Sequence, residues 1–104
     1  MKLDKEKLSR VFKAVDLPNG RQVVLIEAPT DGSWPKEECY SNIFCIDASG
    51  EVVWQVKAGA PKFDSDSFVS MNLKGNEMNA SRFFGSEFRI DLATGIAEEV
   101  GWHK

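Results

Sequence analysis

Three short loops in this 104-residue chain share one chemistry, and they constrain its fold more than any other feature. Asp16-Leu-Pro-Asn-Gly20, Asp47-Ala-Ser-Gly50 and Asp91-Leu-Ala-Thr-Gly95 each set an Asp at the end of one apolar run and a Gly before the next. An Asp carboxylate accepts from backbone amides two residues ahead, and Gly takes the positive φ that closes a tight loop, so each segment reads as a β-hairpin turn. Lys74-Gly75-Asn76 reads as another. The runs between the turns alternate with period two: Phe88, Ile90 and Leu92 against Glu87, Arg89 and Asp91, and in the same way Val52, Trp54, Val56 and Val69, Met71, Leu73. Ile43-Phe44-Cys45-Ile46 is apolar on both faces, which suits an interior strand.

This spacing predicts about eight strands in hairpin order, over 10–16, 21–28, 42–47, 51–57, 67–73, 77–84, 86–92 and 96–101. A flat sheet of that width would leave one apolar face and two long edges in water. The expected fold is therefore all-β: an antiparallel meander closed as a barrel or folded into a sandwich, with a short N-terminal helix. Residues 1–104 have room for one small domain. Two connections, 29–41 and 58–66, are longer than a hairpin needs and are the natural seats of function.

Charge narrows the function classes. Thirteen Lys and Arg against sixteen Asp and Glu give a net charge of −3, and the only basic concentration is in residues 1–13, where five cations meet Asp4 and Glu6. A solvated helix of mixed charge accounts for that segment, and the acidic remainder opposes nucleic acid and anionic membranes. No apolar run approaches the ~18 residues of a membrane helix. The opening Met-Lys-Leu-Asp-Lys-Glu-Lys-Leu is too charged for a signal peptide, so a cytoplasmic chain with reduced Cys39 and Cys45 is expected.

Residues 42–54, Asn-Ile-Phe-Cys-Ile-Asp-Ala-Ser-Gly-Glu-Val-Val-Trp, resemble a blade motif of the quinoprotein-type β-propellers, in which an Asp-turn-Gly hairpin is followed by a packing Trp. Residues 86–95, Ser-Glu-Phe-Arg-Ile-Asp-Leu-Ala-Thr-Gly, resemble it again, with Glu99 at the place of the Trp. The resemblance implies a hairpin and a packing role for Trp54, and it brings no quinone or metal residues. As a whole, the chain is similar to small uncharacterised bacterial proteins, some of them carried on mobile gene cassettes.

Catalytic and metal chemistry find little support. A single His and two cysteines six residues apart make no zinc pattern. Cys45 sits in the most apolar strand, Cys39 is beside Glu37 and Glu38, and a Cys39–His103 pair would need the C-terminus to fold across the long loop. Asp64-Ser65-Asp66-Ser67 begins like a calcium loop, but Val69 and Gly75 stand where its Gly and bidentate Glu belong. No cofactor and no catalytic residue is therefore expected. The acidic pairs Glu37-Glu38 and Glu98-Glu99 have no second partner fixed by spacing, and the latter suits an edge-strand guard.

Aromatic residues point instead to binding. Trp34 and Tyr40 lie with Glu38 in a long polar loop, where large side chains with polar tips serve either as contact residues or as a lid on the core. Phe83 and Phe84 are adjacent on a predicted strand, so one is expected in the core and its neighbour outside, against a covering loop or a partner chain. The leading expectation is a non-enzymatic binding domain that forms a homodimer through that outer phenylalanine. The alternative is a small-molecule binding or enzymatic barrel with a pocket under loop 29–41, lined by Trp34, Glu38 and Tyr40.

Overall fold

The computed structural model describes residues 1–61 and 66–102, the Trp102 side chain excepted. Among the described residues, eight antiparallel strands form two four-stranded meanders. The first holds β1 (Val11–Asp16), β2 (Gln22–Ile26), β3 (Ile43–Ile46) and β4 (Val52–Gln55), and the second β5 (Phe68–Lys74), β6 (Glu77–Arg82), β7 (Ser86–Ile90) and β8 (Ala97–Trp102). All eight match expected runs, six of them trimmed at the ends and β5 and β8 displaced by one residue towards the C-terminus. Helix α1 (Lys5–Ser9) starts where the Asp4 carboxylate accepts the Lys7 N–H at 2.8 Å, a side-chain N-cap. A second helix, α2 (Lys36–Tyr40), occupies the expected loop 29–41. It is one turn long, too short for periodicity to announce.

The two sheets share one core, an arrangement that fits a sandwich, and no closed barrel forms among the described residues. Their edges touch through one parallel bridge, in which the Lys57 N–H donates to Gly95 O at 2.8 Å and the Ala97 N–H to Lys57 O at 3.0 Å. The main core lies between the sheets, with Val23, Leu25, Ile43, Cys45, Trp54 and Val56 facing Phe68, Met71, Met78, Phe88 and Ile90. The first sheet is buried on its outer face too, where Val24, Ile26, Phe44 and Ile46 are covered by Leu3, Trp34 and Val52. That explains why β3, and β2 beside it, are apolar at successive positions.

The hairpin turns follow the expected chemistry with one exchange of roles. Asp47 Oδ1 accepts the Ser49 and Glu51 amides at 2.9 and 3.0 Å, and Asp91 Oδ1 accepts the Ala93 amide at 2.8 Å. In the first turn Asp16 instead accepts from the Gln22 side chain at 3.0 Å, and Asn19 takes the Arg21 amide at 3.1 Å. Asn42, 1% exposed, joins the sheets: its Nδ2 donates to Ile26 O at 2.6 Å and Phe68 O at 2.9 Å, while its Oδ1 accepts the Phe68 N–H at 2.9 Å.

Two alternations break at register shifts. Between Cys45 and Ile46 the pairing moves from Trp54 to Val52, so Val52 packs on the outer face while Trp54 and Val56 stay in the main core. Between Phe68 and Ser70 a bulge turns Val69 outward, 43% exposed, while Met71 remains buried. The expectation for Phe83 and Phe84 is also corrected. Strand β6 ends at Arg82, so both lie in the turn before β7 and both are exposed, at 68% and 36%. The rule of opposite faces holds only inside a strand.

Candidate binding site

The β6–β7 turn is held from below. The Phe83 N–H donates to Ser67 O at 3.0 Å, the Phe84 N–H to Asp66 Oδ1 at 3.0 Å, and the Gly85 N–H to Arg82 O at 3.0 Å. Gly85 carries φ 106°, a conformation that costs a residue with a Cβ about 1–2 kcal/mol. The two phenyl rings meet edge to face, 5.1 Å between centroids.

Facing the turn are two apolar side chains that the alternation did not indicate, Phe12 at 51% exposure and Val69. Both sit at register shifts, Phe12 between Val11 and Lys13 and Val69 between Phe68 and Ser70. Both belong to edge strands, β1 and β5. Bulges on edge strands re-aim single side chains, and here they aim two across the gap between the sheets. Phe12, Ala28, Thr30, Val69, Phe83 and Phe84 line a groove of about 530 Å³, open to solvent, with Glu27 beside them. A bulge leaves no motif in a single sequence; the available sign for Phe12 is an aromatic side chain beside Lys13.

A second trough, of about 320 Å³, is lined by Lys13 and by Ser70, Asn72, Asn79 and Ser81 of the second sheet, with Phe88 and Val100 among its apolar members. The Ser70 and Ser81 hydroxyls hydrogen-bond across the strands. Beyond it, Arg89 pairs with Glu77 and Glu98 at 3.5 and 3.3 Å.

Behind the turn lies a buried cation. Arg82 is 4% exposed, donates to Gly59 O at 2.8 Å and Tyr40 O at 3.3 Å, and sits 4.9 Å from the ring centres of both Phe68 and Phe88. Its Nε finds no hydrogen-bond partner among the described residues. Burial pulls the guanidinium below its ordinary pKa, and the nearby Asp66 carboxylate, 2% exposed, opposes that pull.

The three loop residues do not converge on one cavity. Trp34 packs down on the outer face of the first sheet, with Lys7 and Arg10 over its ring at 5.1 and 5.7 Å. Glu38 pairs with Lys7 at 3.1 Å and lines a shallow cleft with Gln55 and Lys57. Burial lowers the Lys7 pKa, but Glu38 and then Asp4 outweigh it and hold the ammonium above its usual value. Tyr40 turns the other way, its ring 5.7 Å from Arg82.

Both thiols are pushed up in pKa, chiefly by burial and, at Cys39, next by Glu38, which disfavours the nucleophilic thiolate. His103, the imagined partner of Cys39, lies outside the described residues, as do Asp64 and Ser65 of the calcium-like loop. Among the described residues no group of three His, Cys, Asp or Glu side chains could hold a metal ion. No described helix is long and apolar enough to cross a membrane.

No curated protein and no solved structure matches the chain. One family does, over residues 3–102, nearly the whole length, and the chain belongs to that family, the Domain of unknown function DUF7957.

Proposed function

We propose that the protein is a non-enzymatic β domain that associates with a second copy of itself through the Phe12/Val69/Phe83/Phe84 groove. The observation that carries this reading is that one patch holds both a knob and a hole. Phe83 projects at 68% exposure beside a groove of about 530 Å³, room for more than one phenylalanine side chain. Under a two-fold axis the same patch must fit itself, and reciprocal insertion of Phe83 meets that condition. An isolated apolar ligand would fill the hole but leave the knob in water.

Magnitude supports reversible association. At 150–250 Å² per aromatic side chain, the exposed fractions amount to roughly 350 Å² of apolar surface per copy. Stable complexes bury about 800 Å² per partner, so the patch forms a centre that needs a polar rim. The trough along Lys13, Ser70 and Asn72 lies beside it and can supply one. The two patches together amount to roughly 700 Å², below the ~1,200 Å² at which stable interfaces begin, so the association is of the weak, reversible kind, micromolar or weaker.

Sedimentation equilibrium over about 1–200 µM brackets that strength. The expected result is a mass rising from 11.6 kDa towards twice that value, and a return to 11.6 kDa on Phe83→Asp with an unchanged melting temperature. A mass of 11.6 kDa at every concentration, or a dimer that survives Phe83→Asp, refutes the proposal.

A further inference from the structure

We infer that Asp66 is the positioning residue of this docking surface: its buried carboxylate holds the Phe83-Phe84 turn in the one conformation that presents a knob. The inference rests on the self-association reading for what the knob does, and on the geometry alone for what Asp66 holds. Asp66 is 2% exposed, and its Oδ1 accepts the Phe84 N–H at 3.0 Å. A carboxylate is rarely buried unless something engages its charge. Here an amide from the turn does so, with the Arg82 guanidinium within electrostatic reach.

The arrangement reaches both ends of the turn. Arg82 is the last residue of β6 and is tied to Gly59 O and Tyr40 O, so the chain enters the turn from an immobilised position. Ser67, next to Asp66, accepts the Phe83 N–H at 3.0 Å. Residues 66 and 67 thus receive consecutive amides from the two phenylalanines. A turn that carries two exposed aromatic rings has every apolar reason to collapse onto the nearby groove wall, which would fill the hole with its own knob. Charge-assisted bonding to a fixed, desolvated carboxylate opposes that collapse. Ordering the aromatic side chains in advance also lowers the entropy lost on docking.

The test compares Asp66→Ala with Asp66→Asn, which keeps an Oδ1 acceptor, in amide hydrogen exchange and in sedimentation. For Asp66→Ala, exchange at Phe84 and Gly85 should accelerate at least about tenfold relative to Val23 and Cys45 in the core, and dimerisation should weaken by about tenfold, the effect of losing one charge-assisted bond. Asp66→Asn keeps the acceptor without the charge and should restore about half of both, since a neutral bond is roughly half as strong, which a general loss of packing would not predict. Equal exchange at Phe84 in wild type and Asp66→Ala overturns the inference. So does an Asp66→Ala dimer of wild-type strength. If Asp66→Ala does not fold, the wild-type exchange decides: slow exchange at Phe84 despite its exposed side chain supports the inference, and exchange at the rate of an open loop overturns it. A wild-type chain that never dimerises refutes the self-association reading and leaves the exchange arm to judge the role of Asp66 in holding the turn.

Discussion

Replacing Gly95 by Ala should damage the fold through Trp54, and the damage should largely vanish when Trp54 is removed first. The indole of Trp54, 5% exposed, lies against Gly95: a Cβ built on that glycine would sit 2.6 Å from Cε3 and 2.7 Å from Cδ2. Ring carbons held in a core cannot yield that much, and the indole is further pinned by its Nε1–H, which donates to Leu92 O at 2.8 Å. Two costs therefore add in the wild-type background. The backbone cost at φ 79° is about 1–2 kcal/mol for a residue with a Cβ, and overpacking against the ring adds about 1–3 kcal/mol. Trp54→Ala alone should cost about 3–5 kcal/mol as a large-to-small core change. In that background Gly95→Ala meets empty space and should cost only the backbone part, about 1–2 kcal/mol. The double-mutant cycle should therefore show a coupling of about 1–3 kcal/mol, the two changes together being milder than their sum. Urea unfolding at about 10–20 °C, near maximum stability, with m-values compared across all four proteins, gives the free energies. Additivity within about 0.5 kcal/mol would refute the contact between the two hairpin units.

Trp34→Ala should lower stability by about 1–3 kcal/mol and the melting temperature by several degrees, because the ring covers Val24, Ile26, Phe44 and Ile46; a change within about 0.5 kcal/mol would mark it as a surface contact residue instead. Asn42→Ala should cost about 2–4 kcal/mol in chemical unfolding, since it strands the Phe68 amide and two buried carbonyls between the sheets, and an unchanged midpoint would contradict the bridging role. Asp47 is held below its ordinary pKa of 3.8 by the Ser49 hydroxyl and then the Glu51 amide, so its stabilisation is present above pH 3.8 and is lost as pH falls through the lower, folded value. Asp47→Ala should accordingly be less stable than wild type at pH 7 and approach it near pH 2, and parallel stability curves across that range would show that the carboxylate charge contributes nothing.

Local chemistry made the strand inventory readable. Asp47, Gly50, Asp91 and Gly95 turn the chain because a short acceptor and a residue free to take positive φ are what tight hairpins need, and those requirements are settled within a few residues. The alternation of Phe88 and Ile90 with Arg89 likewise set the inner face of β7, since one buried face allows one register. Helix α2 escaped because a single turn has no period, and the split into two sheets escaped because equal hairpins serve a barrel and a sandwich alike.

The candidate site was half legible. Adjacent aromatic residues at 83 and 84 announced apolar surface that one small chain has difficulty covering, but their presentation depends on where β6 stops. That end is decided by Asp66, Ser67 and the buried Arg82, residues brought together from separate parts of the chain. Phe12 and Val69 enter the groove only because bulges displace two edge strands, an adjustment made to fit one sheet against another. By itself, the sequence determined the strands, their hairpin order and the apolar faces where no register shift intervenes, all of which follow from short-range chemistry and period. Only the tertiary structure decided how the sheets pack and which side chains the bulges expose, because those outcomes depend on contacts between residues far apart in the chain.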